Sequence, residues 1–536
     1  MRRWNGWGDD TYSLPVQPQA LQFLQQRIGK AIPFSDASWE QVCAQVPPAR
    51  LPAHPLIDTS AATRVRYSRG QSLPDWLALR YGRIAHFPDG VAFPESSADV
   101  STLLAWAKQH GVALIPYGGG TSVAGHINVV DNAQPVLTVV MQRMCQLISL
   151  DRQSQLASFG AGVFGPDLEA QLRAHGYTLG HFPQSFEYST LGGWVVTRSS
   201  GQQSLRYGRI EQLFAGGRLE TPAGSLQLPT FPASAAGPDL REWVLGSEGR
   251  LGILTEATVR ISPLPQQEAF HAVFFPDWEQ AQTAVQQIAQ SKLLLSMLRL
   301  SNATETLTSL TLAGHASLIR WLERYLSLRN CKEQKCLLLI GASGSRAQVS
   351  AAIRAALAIA GSHRGVHIGK TMGEKWKQGR FRNVYLRNTL WQHGYAIDTV
   401  ETACDWPKVR TMMQGVELAA QQSFAEFSEQ VHTYTHLSHL YAQGASVYTT
   451  FVFRLSGDYE TDLARWTSLK AKVSETIVRL GGTISHQHGV GRDHASYLQA
   501  EKGELGLSAL RAMARHFDPD QRMNPGKLFD TAQDAS

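Results

Sequence analysis

Cysteine is scarce in this sequence and shows no pairing pattern. There are five in 536 residues (Cys43, Cys145, Cys331, Cys336 and Cys404) and no CxxC pair. An odd, scattered set argues against a disulfide framework, and Cys331 and Cys336 lack the companions of a zinc site. Long apolar runs are missing too. No stretch approaches the roughly 20 residues that span a bilayer. The opening MRRWNGWGDD lacks the apolar core of a secretory signal, and the closing DTAQDAS is not a peroxisomal address. A cytoplasmic protein is therefore expected. Neither sign of charge dominates: 50 Lys and Arg against 44 Asp and Glu leave a formal charge of +6. No basic run is interleaved with aromatics, so no nucleic-acid partner is expected. The small positive balance suits an anionic cofactor, an anionic substrate or an anionic membrane surface, and does not choose among them.

The composition that remains is that of a globular protein, 43% hydrophobic and 18% charged, with 46 glycines and 13 tryptophans. The length exceeds what one compact core accommodates, so two or more domains are expected. Helical patterning at Leu21–Ile28 and a proline-rich connection at Pro47–Pro55 mark the N-terminal portion. From Ala92 short apolar runs alternate with glycine-rich turns. Val112–Pro116 and Val136–Val140 read as buried strands, and Val100–Gln109 reads as a helix. LTEATVRISPLP closes a second glycine-rich block, after which Ala347–Ala360, Asp462–Leu480 and Ala509–Phe517 read as helices. The fold class is α+β.

Three glycine-rich segments carry the chemistry. PYGGGTSVAG, at Pro116–Gly125, follows the strand directly. Gly118, Gly119 and Gly120 lack β-carbons, so their amides can approach a diphosphate and form a concave anion site, with Thr121 and Ser122 adding hydroxyls. The loop is neither GxGxxG nor GxxxxGK[ST], which leaves out Rossmann and P-loop readings; a tight turn without a ligand is the alternative. GHFPQSFEYSTLGGWVVTRSSGQQSLRYGRIEQL spans Gly180–Leu213, and LGSEGRLGIL spans Leu245–Leu254. Three such segments in order suit one extended ligand lined by backbone.

This arrangement resembles the FAD-binding domain of the vanillyl-alcohol-oxidase/p-cresol-methylhydroxylase superfamily over about Pro88 to Pro265. The resemblance implies a non-covalent FAD, with His126 behind the glycine loop not attached to it. The first loop would hold the diphosphate through Pro116, Gly118, Gly119, Gly120, Thr121 and Ser122. Flavin and adenine would contact Pro183, Ser185, Thr190, Gly192, Gly193, Ser200, Gly201, Tyr207 and Gly208, then Glu248, Gly249, Gly252 and Ile253. The implied division is an N-terminal helical segment (1–85), a two-subdomain FAD-binding domain (86–265), an α+β cap or substrate domain (266–480) and a mostly helical C-terminal segment returning to the flavin site (481–536).

Within that superfamily the chain is similar to the alkyldihydroxyacetonephosphate synthase family nearly end to end. The similarity runs from RWNGWGD and Arg69–Ser96 through SMLRLSNATET, YLRN, ETACDW, HLYAQGASVY and ISHQHGVGRDH. It implies that Arg387 of YLRN binds the substrate phosphate, as a planar guanidinium can by bidentate hydrogen bonds. Tyr448 matches the family's acid–base tyrosine; from the residues alone it is equally a core tyrosine on the alternating strand Val447–Phe453. His486 and His488 match the first and third of a three-histidine run, whose middle position here is Gln487, a side chain that cannot carry charge or shuttle a proton at neutral pH. Arg299 could neutralise an anionic flavin or pair with a carboxylate.

The implied reaction exchanges the acyl group of acyl-dihydroxyacetone phosphate for a fatty alcohol, with the flavin as a covalent trap rather than an electron carrier. That is ether-lipid chemistry, catalysed by a transferase. The alternative is an FAD-linked oxidase or dehydrogenase of a D-2-hydroxy acid, with His486 and His488 acting on the hydroxyl-bearing carbon; a third is a binding module that has lost its reaction. A metal is not expected. Although His432, His436 and His439 lie close in sequence, the GHxGDGNxH motif of the metal-dependent relatives is absent and Gln487 replaces their carboxylate. The expected partner is a small-molecule or lipid substrate, anionic in character, with a peripheral membrane contact and a homodimer left open.

Overall fold

The structure, a computed structural model, describes residues 1–131, 133–312 and 316–529. Three sheets organise it. In the first, the helix Ser97–His110 begins where Ser96 accepts a hydrogen bond from the Asp99 amide and Asp99 accepts one from the Ser96 amide, a reciprocal cap that satisfies two orphan donors. Gly111, at φ +68°, ends the helix and turns the chain into the strand Ala113–Tyr117. That strand runs parallel to Val136–Val140, which is parallel to Gly90–Ala92; Ile57–Asp58 closes the far edge antiparallel. Helix and strands share a core of Val100, Leu103, Leu114, Leu137 and Val139. The open edge beside Ala113–Tyr117 is covered by the chain near its end: Leu114 donates to the Arg522 carbonyl and accepts from the Asn524 amide. Covering it removes an unpaired row of backbone groups.

The second sheet is antiparallel, in the order Leu147–Asp151, Leu156–Gly160, Ile253–Arg260, Phe214–Thr221, Gly224–Leu228. Its core holds Phe159, Leu168, Trp194, Phe214 and Val259.

The third has seven antiparallel strands, in the order Val366–His367, Gln267–Phe275, Cys336–Gly344, Met297–Ser301, Val431–Leu437, Gly444–Arg454, Tyr395–Asp405. Both faces are covered, so its strands read as near-continuous apolar runs. Ala269, Val273 and Phe275 face one core with the helices Trp278–Gln290, Arg346–Ser362, Val409–Ala425 and Tyr459–Arg479. Phe270, Ala272 and Phe274 face the other with Leu310, Leu326, Leu337 and Leu339. Among the described residues no helix is long and apolar enough to cross a membrane.

Phe451 is fully buried on the four-helix side of this sheet. Truncating it leaves a cavity its neighbours cannot fill, so Phe451→Ala is expected to cost about 3–5 kcal/mol, read as a lowered urea midpoint.

Candidate active site

A cavity of about 970 Å³ is walled by the first and third sheets and by connections of the second. One end is formed by Pro116, Gly118–Ser122, Pro183, Ser185, Thr190, Gly193, Ser200, Glu248 and Gly249. The glycine loop lies beyond the carboxyl end of the parallel strand Ala113–Tyr117, where ligands of such sheets bind. A β-carbon on Gly119 would stand 1.8 Å from the Tyr188 carbonyl oxygen, and one on Gly118 2.3 Å from the Thr190 hydroxyl. The two segments therefore meet backbone to backbone. No acceptor among the described residues takes the amide hydrogens of Gly119–Ser122, which suits them to an anion.

The loop is buttressed from behind. Ser122 Oγ lies 2.6 Å from His126 Nδ1, and His126 Nε2 lies 3.2 Å from the buried Glu248 carboxylate. Glu248 also accepts from the amides of Val490 and Gly491. Asn524 donates to the carbonyls of His126 and Glu248. Gly192, Gly201, Tyr207, Gly208, Gly252 and Ile253 do not line the cavity and form the framework around it: the Tyr207 ring packs on Gly180, and a β-carbon on Gly201 would meet the Phe182 amide at 2.7 Å.

The middle of the cavity follows from strand alternation. Leu298 and Leu300 point into the four-helix core, so Arg299 points the other way; Val447 and Phe451 do the same for Tyr448, and Leu437 for His436. Arg299, His436 and Tyr448 thus reach the cavity together. The His436 ring stacks on Tyr448 at 4.7 Å, and His488 stands edge-on to it at 5.9 Å. Burial pushes the Tyr448 phenol up to about 12, assisted by the Glu401 and Asp398 charges and opposed by Thr399 and Arg299. Burial also lowers both His436 and His488, so a protonated phenol is flanked by neutral imidazoles.

The two arginines differ. Arg299 is bonded to Glu305, 2.5 Å away, and His436 Nδ1 lies 2.9 Å from the same carboxylate; its charge is matched. Arg387 lies 4.4 Å over the Trp76 ring and donates to the Gln71 carbonyl at 2.9 Å. No carboxylate among the described residues lies within ion-pairing distance of it. Burial lowers its pKa without threatening the charge of a guanidinium.

His486, unlike His488 and Gln487, does not line the cavity. Arg209 donates to its Nε2 at 2.7 Å. A guanidinium has no lone pair to offer, so Nε2 accepts and the proton sits on Nδ1, 3.2 Å from Glu401. The Gln487 amide donates to the other Glu401 oxygen at 2.5 Å, and Ser438 donates at 2.5 Å. Burial alone would raise the Glu401 carboxyl; His486 beside it, with His439 and His488 nearby, holds it well below the usual range. Glu401, His439 and His486 are the one grouping among the described residues whose ligand atoms converge, within 4.8 Å. The Arg209 guanidinium and the proton on Nδ1 make it a poor seat for a cation.

The remaining wall is mostly apolar, with Met297, Leu310, Ile319, Leu322, Met372 and Trp376 reaching Leu312 and Leu318, and it also carries Thr308, Ser309, Lys375 and Arg380. Residues not anticipated from the sequence are Glu305 and Glu401, which set the charge state of the site, and Trp7, Leu14–Gln17 and Gln71, which line it. The readable signal for Glu401 was its place in ETACDW, on the strand paired residue for residue with Tyr448.

Residues 88–228 match the FAD binding domain family, and residues 264–528 match the family of FAD linked oxidases, C-terminal domain. The chain is 31% identical to alkyldihydroxyacetonephosphate synthase from Dictyostelium discoideum, over 88% of this chain and 78% of that one. It is 30% identical to the synthase of the same name from Caenorhabditis elegans, over 88% and 82%. A solved structure of an alkyldihydroxyacetonephosphate synthase superposes with a TM-score of 0.85 at 27% identity, covering 98% of each chain.

Gly119→Ala, whose β-carbon would collide with the 188 carbonyl, is expected to yield folded protein with little FAD. Gly361→Ala, where nothing lies within 4 Å, is expected to retain it. Flavin absorbance per protein after gel filtration is the measurement.

Proposed function

This chain belongs to the alkyldihydroxyacetonephosphate synthase family of FAD-binding proteins, and from that premise we propose that it exchanges the acyl chain of acyl-dihydroxyacetone phosphate for a fatty alcohol. In the balanced reaction the ester leaves as a carboxylate, the alcohol oxygen takes its place on the same carbon, and one proton is released with no net redox change. FAD, held by the three glycine-rich segments, supplies the electrophilic centre.

The observation that carries this reading is a cavity lined by guanidinium groups that have no carboxylate partner among the described residues, Arg387 over Trp76 and Arg380 over Phe182 and Phe381, with a mostly apolar arm beside them. Arg387 receives the phosphate: one face is stacked on Trp76, one N–H is used by Gln71, and no other group among the described residues takes its remaining donors. Tyr448 moves the proton at the carbon beside the carbonyl. It starts protonated, and His436 and His488 are neutral bases able to relieve it. Gln487, tethered to Glu401, offers the cavity a hydrogen bond without a titrating group. The hydroxy-acid oxidoreductase alternative fits less well, because His486 is committed to Arg209 and Glu401.

The apolar arm ends at residues that are also exposed, Leu312 at 36% and Leu318 at 61%. Leu318 lies in the first turn of a helix, Ala316–Leu328, that buries Leu326 while Trp321 and Leu328 face outward among Arg320, Arg324 and Arg329. That combination suits an anionic membrane surface from which a lipid enters the arm.

Arg387→Ala is expected to raise KM for the phosphate ester about 10–100-fold, the loss of charged hydrogen bonds. Tyr448→Phe is expected to lower kcat about 10²–10⁴-fold with FAD retained. Both are read by fatty-acid release in the presence of alcohol; unchanged values would remove these roles. Trp321→Glu is expected to weaken binding to anionic vesicles about tenfold, as expected for losing one buried aromatic, and flotation that is unaltered would move the membrane contact elsewhere.

A further inference from the structure

The opening motif, Arg3–Asp9, lies far in sequence from every expected site residue, yet its backbone is bonded to both flanks of Arg387. The Trp7 amide donates to Asn388 Oδ1 at 3.0 Å, and Asn388 Nδ2 donates back to the Trp7 carbonyl at 2.9 Å. The Asp9 amide donates to the Tyr385 hydroxyl at 3.3 Å, and the Thr389 hydroxyl donates to the Leu14 carbonyl at 2.7 Å. Gln71, whose own carbonyl accepts from Arg387, donates through its side chain to the Gly6 carbonyl at 3.3 Å. The helix Leu386–Gln392 that carries Arg387 therefore leans along its first turn on one looped segment, closed on itself by the bridge between Arg2 and Asp9.

The two glycines of the motif are what allow this approach. A β-carbon on Gly6 would stand 2.6 Å from Asn388 Oδ1. One on Gly8 would stand 2.4 Å from the Tyr385 ring, at a φ of +75° that side chains disfavour. The segment also reaches the glycine loop, since the Arg2 guanidinium donates to the Gly119 carbonyl and lies over the Tyr188 ring. The Tyr188 hydroxyl meets that of Tyr385 at 3.0 Å.

We infer that residues 2–14 form a positioning strap for Arg387: they fix the guanidinium relative to the cofactor loop so that a phosphate held by the one is in register with the group held by the other. This rests on the reading of Arg387 as the phosphate-binding residue. Trp7 and Leu14 of the strap line the cavity, but the strap supplies no reacting group. Its effect passes through Asn388, Tyr385 and Gln71, so a break in the strap costs affinity for the phosphate rather than chemistry.

The test is a double-mutant comparison on the FAD-loaded enzyme, with dihydroxyacetone phosphate titrated against the flavin spectrum and KM measured for the acyl ester. Gly8→Ala forces the strap off Tyr385. Tyr385→Phe, which deletes only the hydroxyl, serves if the first variant folds poorly. Each is expected to weaken the phosphate ester about tenfold with kcat within about twofold, consistent with losing hydrogen bonds to a charged group indirectly. In an Arg387→Ala background the same changes are expected to cost less than about twofold, because coupled residues do not add. Equal losses in both backgrounds, or losses confined to kcat, overturn the strap's role while leaving Arg387's intact. A wild-type enzyme indifferent to the phosphate ester would instead remove the parent reading, and the strap's task with it.

Discussion

Alternate side chains of a strand point to opposite faces, and in a sheet covered on both sides neither face can be polar without a purpose. The seven-stranded sheet meets this constraint by placing apolar residues against four helices on one face. On the other, Arg299, His436 and Tyr448 are set against the cavity, with Glu401 beside Tyr448 on the neighbouring strand. Shifting any of these strands by one residue would put a cation or a carboxylate among Phe451, Leu298 and Val447. The register that packs the core is therefore the register that assembles the site, and the two cannot be varied separately.

Charge is distributed on the same principle. Buried ions are stable when paired and hydrogen-bonded, and most here are: Glu305 with Arg299 and His436, Glu401 with His486, Gln487 and Ser438, Glu248 with two amides and His126. Arg387 departs from that pattern. Its stacking on Trp76 and its bond to Gln71 keep it in place without cancelling its charge, leaving an attraction for an anion at the foot of an apolar arm. The position of Gln487 has a parallel logic: tied to an ionised Glu401, it needs no charge of its own to be held in one orientation.

Much of the binding half was readable from the chain, because it depends on residues whose reason is local. Three glycines after an apolar strand announce a backbone-lined loop, and the strand and helix around it follow from apolar runs. The alternation around Tyr448 was readable as a strand, but which face it served was not. The residues that tune the site were hidden for a different reason. Glu305, Glu401 and the RWNGWGD strap act through partners between six and more than 300 positions away, and nothing in local spacing names such partners. His486 shows the converse: similarity marks it as a site residue, yet Arg209, an unremarkable arginine in the sequence, turns it away from the cavity.

The account stands or falls on what the cavity does to a phosphate ester of a lipid. The most direct measurement is anaerobic: FAD-loaded protein is mixed with acyl-dihydroxyacetone phosphate, then with a fatty alcohol, while the flavin spectrum and the products are followed. The account predicts release of the fatty acid on the first addition, ether formation on the second, and a flavin spectrum that returns to its oxidised form. An inert ester, together with full two-electron reduction of the flavin by a D-2-hydroxy acid and recovery of the keto acid, would contradict it.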